Sequence, residues 1–207
     1  MKEHSLNKQN PFIRGYYIDP DICDAIVDYA KQEPNLFSPG IKEYENAWLE
    51  HFELEQRANY LRSLFGCLEE YKKEFYYSYQ QMEMWALRSG IKVQRYDPGR
   101  FYHNWHCEND GDPAVVTRHL VYMTYLNDIE EGGGTEFFHQ SLQIKPEKGL
   151  TLIWPADWTH THRGICAPNE YKYIITGWFV FNHTKAYHEG AYILKSADID
   201  RVNRNIP

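Results

Sequence analysis

From about residue 84 onward the chain is divided into short segments rich in β-branched and aromatic residues. MEMWALRSG, IKVQRY, HLVYMTYLND, LTLIWP and YKYIITGWFVF follow one another, punctuated by Gly, Pro, Asn and Asp. These apolar types fit a pleated surface, and these breakers end strands. Several short strands behind a more helical first third predict a sandwich or jelly roll flanked by helices, an α+β chain that is mostly β. The 17 tyrosines and 10 phenylalanines favour the same β-rich interior.

The first third reads differently. FIRGYYI, residues 12 to 18, is a candidate edge strand. Asp19 and Pro20 then give a helix start, Asp as N-cap and Pro at the first helical position. Ile22, Ile26, Tyr29 and Ala30 follow at helical spacing, so the helix covers about 20 to 32. Residues 34 to 40 read as a loop. A second, longer helix is predicted over 52 to 82, where Leu61, Leu64, Phe65 and Leu68 recur at helical spacing. The stretch from about 183 is polar and reads as an irregular tail. At 207 residues the chain fits one domain, with a helical part to about 83 and a β core over about 84 to 182.

The charge balance narrows the partners. Lysine and arginine number 22 against 29 acidic residues, a formal net charge of -7 without a block of like sign. That is no electrostatic footprint for nucleic acid. The opening MKEHSLNKQN lacks the apolar centre of a signal peptide, and no apolar run reaches membrane-spanning length. Cys23, Cys67, Cys107 and Cys166 contain no CxxC pair and are too sparse for a disulfide scaffold. The expectation is a soluble, cytoplasmic protein with no nucleic-acid or membrane partner.

The sharpest local feature is HNWHCEND, residues 103 to 110. In extended backbone alternate residues share a face, so His106 and Glu108 point one way and Cys107 the other. A third ligand must come from a distant strand, and THTHRG over 159 to 164 offers His160 and His162. Two imidazoles and a carboxylate on one face leave open metal positions, the arrangement of a non-haem Fe(II) oxygenase. His103, Asn104 and His160 flank these candidates and are available to support them, and Arg163 is placed to hold an anionic substrate group.

From Gln94 to Trp178 the order of residues resembles the prolyl-4-hydroxylase-like family of 2-oxoglutarate/Fe(II) oxygenases. Tyr96, Gly99, Tyr102, His106 and Glu108 follow that family's opening pattern, with one extra residue before the histidine. RHLVYMTYLND (118 to 128) and GGGTEF (132 to 137) follow in the family's order. A distal histidine, a lysine ten residues on and a tryptophan six further close the match as His162, Lys172 and Trp178. This spacing selects His162 over His160.

The resemblance implies a double-stranded β-helix, a cupin-like jelly roll, with the N-terminal helices packed against it. It implies iron on His106, Glu108 and His162, with 2-oxoglutarate and O₂ as cosubstrates and ascorbate as a stimulant. Lys172 would pair with the distal carboxylate of 2-oxoglutarate. Tyr96 and Thr135 match positions that hydrogen-bond the cosubstrate, Trp178 one that lines its pocket, and Arg118 and Tyr102 positions that face the primary substrate. The implied reaction hydroxylates a C–H bond and releases succinate and CO₂, with peptidyl proline as the leading substrate.

Three departures stand out: Glu108 replaces the usual Asp, one extra residue lies between Tyr102 and His106, and Val180 stands where peptidyl-proline hydroxylases can carry histidine. Hydroxylation of a free amino acid or other small molecule is the first alternative. A cupin-type dioxygenase would have no use for Lys172, and a non-catalytic metal-binding β-sandwich would not need the whole set.

Overall fold

Asp19 and Pro20 open the first helix. The Asp19 carboxylate accepts the Asp21 N–H at 3.0 Å, and α1 runs Pro20–Gln32 with Cys23, Ile26, Val27 and Ala30 buried along one face. The second helix, α2, covers Leu54–Glu74 and begins with a reciprocal capping pair between Glu53 and Gln56. It stops eight residues short of the predicted end, and a 3-10 turn, Tyr76–Ser78, follows. Tertiary contacts decide the stop: the Ser78 carbonyl accepts from the Trp85 indole at 3.0 Å and from His119 Nε2 at 2.8 Å, so it is committed outside a helix.

The computed structural model describes residues 1–8, 12–39, 43–80, 82 and 85–181; the polar tail expected from 183 lies outside them. The strands are β1 (Lys2–Glu3), β2 (Arg14–Tyr17), β3 (Ser38–Pro39), β4 (Glu45–Trp48), β5 (Trp85–Leu87) and β6 (Lys92–Tyr96). They continue as β7 (Arg118–Tyr125), β8 (Thr135–Phe137), β9 (Leu142–Ile144), β10 (Leu150–Pro155), β11 (His162–Gly164) and β12 (Lys172–Phe181). Among the described residues these form a large sheet in the order β1-β2-β10-β7-β12-β6-β4-β3, with β5 also paired to β12, and a small sheet β11-β8-β9. Two sheets wound this way around one interior are the β-helix core, with the helices on its outer face. Two local expectations are corrected. The strand at 12 to 18 is not an edge, because β1 pairs outside it, and the 34 to 40 segment contains a 3-10 turn and β3 rather than only loop.

The period of two in β12 sorts the interior. Tyr173, Ile175 and Phe179 join the cluster that packs α1 and α2, including Leu64 and Leu68. Ile174, Trp178 and Val180 face the opposite way, between the sheets, with Leu152, Trp154 and Phe137. Each apolar side chain so buried is worth about 1.5–3 kcal/mol. Lys172 and Thr176 share the parity of Trp178, so the strand that builds the core also points these polar groups inward. No described helix is long and apolar enough to cross a membrane.

Candidate active site

The metal candidates meet through one short antiparallel bridge. The His106 N–H donates to the His162 carbonyl at 3.1 Å, and the His162 N–H to that of His106 at 2.8 Å. Directly opposed residues present their side chains on one face, and the two imidazole centroids lie 4.3 Å apart. Glu108, two residues on, shares that face, its segment pinned where Glu108 and Asn109 N–H groups donate to the Ala156 carbonyl at 3.0 and 2.8 Å. Glu108 Oε1 stands 3.5 Å from His106 Nε2 and 3.9 Å from His162 Nε2. The ligand atoms of the three lie within 4.8 Å of one another, close enough to hold a metal ion.

Both rings are aimed by their second nitrogen. His106 Nδ1 donates to the Asn104 carbonyl at 3.0 Å and His162 Nδ1 to the His160 carbonyl at 2.9 Å. A carbonyl only accepts, so each Nδ1 carries the proton and each Nε2 presents a lone pair toward Glu108. Burial lowers the His162 pKa to about 4, and the neighbouring His106 adds to the lowering, which keeps His162 in the neutral form a metal needs. Burial opposes ionisation of Glu108, but the neighbouring His106 and His162 and the Arg118 guanidinium prevail and hold its pKa at about 2.

Trp178 and Arg118 hold the other carboxylate oxygen. Glu108 Oε2 accepts from Trp178 Nε1 and from Arg118 Nη1, both at 2.9 Å. Arg118 Nη1 also donates to the Glu108 backbone carbonyl at 2.9 Å. The guanidinium lies over the Trp178 ring, 3.7 Å from its centre, a stacking that arginine's planar cation favours.

A cavity of about 340 Å³ opens from these residues and is also lined by Tyr96, Tyr102, Thr135 and Lys172. Lys172 is 6% exposed, and burial lowers its pKa to about 8. Among the described residues its ammonium has no carboxylate partner; it lies 5.4 Å from the Tyr96 ring centre and 5.5 Å from that of Tyr125. The Tyr96 hydroxyl donates to Gln94 Oε1 at 2.9 Å, and the Thr135 hydroxyl lies 2.7 Å from that of Tyr125. The Tyr102 ring packs edge-on to His106 at 4.5 Å. Thr135 reaches the cavity through a glycine turn. Gly132 and Gly133 have φ of 71° and 69°, and a Cβ on Gly132 would fall 1.8 Å from the Cys166 carbonyl oxygen.

His160 supplies its backbone oxygen to this site, while its ring nitrogen Nδ1 lies 2.8 Å from the Thr159 hydroxyl. His103 is turned outward, 3.9 Å from Glu43. Arg163 lines the cavity but is paired with Glu136 at 2.8 Å. Residues that carried no signal in the sequence argument include Tyr44, Gln94 and Trp154 on the cavity wall and Tyr125 against Thr135. Tyr125 and Gln94 are buried partners of Thr135 and Tyr96. Trp154 lines the cavity with an indole N–H that has no acceptor among the described residues. Tyr125 sits opposite Ile174 across the β7–β12 ladder, and only that register brings it beside Lys172.

Two histidines and a glutamate inside a double-stranded β-helix define a metal-dependent oxygenase site of the facial-triad class. Residues 91–180 match the family model of the 2OG-Fe(II) oxygenase superfamily, and that segment contains His106, Glu108, His162, Lys172 and Trp178. The fold is shared with the viral collagen prolyl hydroxylase of Paramecium bursaria Chlorella virus-1 in its 2-oxoglutarate complex, at 21% identity and a TM-score of 0.64, over 83% of this chain and 96% of that one. A Pseudomonas putida prolyl-4-hydroxylase is similar at 16% identity and a TM-score of 0.64, over 84% and 94% of the two chains. A Trichoplax adhaerens prolyl hydroxylase, solved with a peptide fragment of the hypoxia inducible factor oxygen degradation domain, is similar at 18% identity and a TM-score of 0.66, over 86% of each chain. No curated protein sequence matches the chain.

The match to this family implies Fe(II), 2-oxoglutarate and O₂ as the groups to be held, and the residues present fit them. Two Nε2 lone pairs and a carboxylate form the donor set, and the buried, carboxylate-free Lys172 together with the unpartnered Trp154 N–H suits an anionic cosubstrate beside it.

Proposed function

We propose that the chain hydroxylates a prolyl C–H bond in a peptide or protein, with 2-oxoglutarate consumed to succinate and CO₂. The observation that carries the reading is that one cavity contains the His106, Glu108 and His162 triad and, within it, the buried ammonium of Lys172. Proline as the target is supported by the architecture shared with three prolyl hydroxylases. On this reading the helical segment before about residue 84 and the β-rich segment after it act as one oxygenase domain, in the cytoplasm expected from the sequence.

His106, Glu108 and His162 would hold the iron. When bound, iron with 2-oxoglutarate and O₂ supplies the oxidising power for C–H hydroxylation. Lys172 receives the far carboxylate of the cosubstrate, and the Thr135–Tyr125 hydroxyl pair and Tyr96 position it. Trp178 and Arg118 keep Glu108 Oε2 engaged, so that Oε1 stays on the side of the two histidines. Tyr102, packed on His106, and the open side of the cavity receive the primary substrate, and the surrounding aromatic walls limit water at the reacting centre. Ascorbate would act as a stimulant of turnover.

The test is anaerobic titration of the metal-free chain with Fe(II) and 2-oxoglutarate, followed by assay of succinate release with proline-containing peptides. A visible charge-transfer band that is lost in His162→Ala, with peptide-dependent succinate release, is the expected result. Iron binding without the band would overturn the cosubstrate site; a band without hydroxyproline formation would overturn the substrate.

A further inference from the structure

The chain carries a formal net charge of -7, yet three cations gather around one indole at the edge of the cavity. The Arg118 guanidinium lies 3.7 Å from the Trp178 ring centre, the Lys92 ammonium 5.4 Å and the Arg88 guanidinium 5.8 Å. Backbone pairing fixes the arrangement. Lys92 sits opposite Thr176 on β12, and the Arg88 N–H donates to the Trp178 carbonyl at 2.9 Å. Lys92 and Trp178 both line the cavity.

Formal charges show what this cluster lacks. Arg118 is matched by Glu108, and Arg163, another cation on the cavity wall, by Glu136. With Glu108 counted once, the loaded centre sets a divalent iron, Lys172 and Arg118 against Glu108 and the dianion of 2-oxoglutarate, one positive charge in excess before Lys92 and Arg88 are added. Among the described residues neither Lys92 nor Arg88 forms an ion pair, and Lys92, on the cavity wall, leaves its charge facing the open cavity. Burial lowers the pKa of Lys92; Glu108 opposes this, and Arg118 and Arg88 add to it. Cations kept close together in a half-buried wall are costly unless an anion joins them.

We propose that Lys92, with Arg88 close by at Trp178, forms a subsite for a carboxylate carried by the primary substrate close to the C–H bond that is hydroxylated. The proposal rests on the oxygenase reading and names its substrate class. The carboxylate comes either from an acidic residue flanking the target in a peptide or from the α-carboxylate of a free amino acid. No bond is made or broken at this subsite; it orients the target toward the triad.

The test uses the full chain loaded with Mn(II) and 2-oxoglutarate, which bind without turnover. One arm offers a proline-centred peptide array with Glu, Gln or Lys at the flanking positions; the other titrates free L-amino acids against their amides. We expect about tenfold tighter binding of the Glu peptides than the Lys peptides, or of free acids than amides, as one charge-assisted pair provides. Lys92→Arg keeps the preference, whereas Lys92→Glu reverses it toward the basic peptides or the amides, a swap that mere loss of packing would not produce. No acid preference in either arm, including no binding at all, overturns the subsite. The Fe(II)/2-oxoglutarate charge-transfer band of the unaltered chain separates the two levels: absence of the band removes the oxygenase reading, whereas its presence without an acid preference removes the subsite alone.

Discussion

The indole N–H of Trp178 donates to Glu108 Oε2 at 2.9 Å, on the carboxylate oxygen turned away from the two histidines. Arg118 shares that oxygen, so the metal-side oxygen is set by a two-point hold rather than by the glutamate's own rotamer preference. Glutamate has one more rotatable bond than the aspartate usual at this position, and the hold offsets the added freedom.

Trp178→Phe removes one point of the hold and keeps the ring under Arg118. Groups of this kind typically contribute 10–100-fold to metal affinity. The expected result is about a tenfold weaker Fe(II) affinity with the fold intact, measured by competition with a chelator. An unchanged affinity would mean that Arg118 alone positions the carboxylate.

Glu108→Asp tests the length of the side chain. Shortened by one methylene, the carboxylate cannot stand between the histidine Nε2 atoms and still accept from Trp178 and Arg118 at 2.9 Å. The variant is therefore expected to bind iron at least about tenfold more weakly, although aspartate is an equally hard ligand. Calorimetry with Zn(II) or Mn(II) reads this directly. Equal affinity would show that the backbone over 106 to 108 adjusts to either residue.

Gly132→Ala addresses the turn that delivers Thr135. A Cβ there meets the Cys166 carbonyl oxygen at 1.8 Å, and φ is 71°, so the backbone must move. The expected loss is about 2 kcal/mol or more of stability, with weakened 2-oxoglutarate binding because the Thr135–Tyr125 pair shifts. Denaturant unfolding followed by circular dichroism, alongside a 2-oxoglutarate titration, checks both.

Much of this site was legible because it depends on parity and spacing. His106 and Glu108 share a face in any extended chain, and Lys172 and Trp178 share one on β12. What the sequence could not reveal depends on which strands lie side by side. Tyr125 matters only because β7 pairs with β12 opposite Ile174, and Gln94 only because Tyr96 donates to it across the same strand face. Arg118 was assigned to the substrate side by resemblance; its engagement with Glu108 needs the fold. Helix α2 shows the same limit. Its periodic sequence continues past Glu74, and side chains from β5 and β7 decide where it stops.

The acidity of Lys172 gives a prediction with a definite sign. Burial places its folded pKa at about 8, below the roughly 10.4 of an unfolded lysine. Between these values the unfolded chain binds more protons, so the ligand-free protein gains stability as pH rises through that window and carries the full penalty of the buried charge below it. Binding of 2-oxoglutarate should run the other way. The dianion requires the ammonium form, so affinity is level below pH about 8 and falls by roughly tenfold per pH unit above it, with proton uptake on binding. Calorimetry of the Mn(II)-loaded chain in buffers of different ionisation enthalpy measures that uptake. Lys172→Arg keeps its charge throughout, so whatever affinity it retains should not fall across the same range. A break at pH 8 that survives in the arginine variant would assign the titration to another group and remove Lys172 from the carboxylate site.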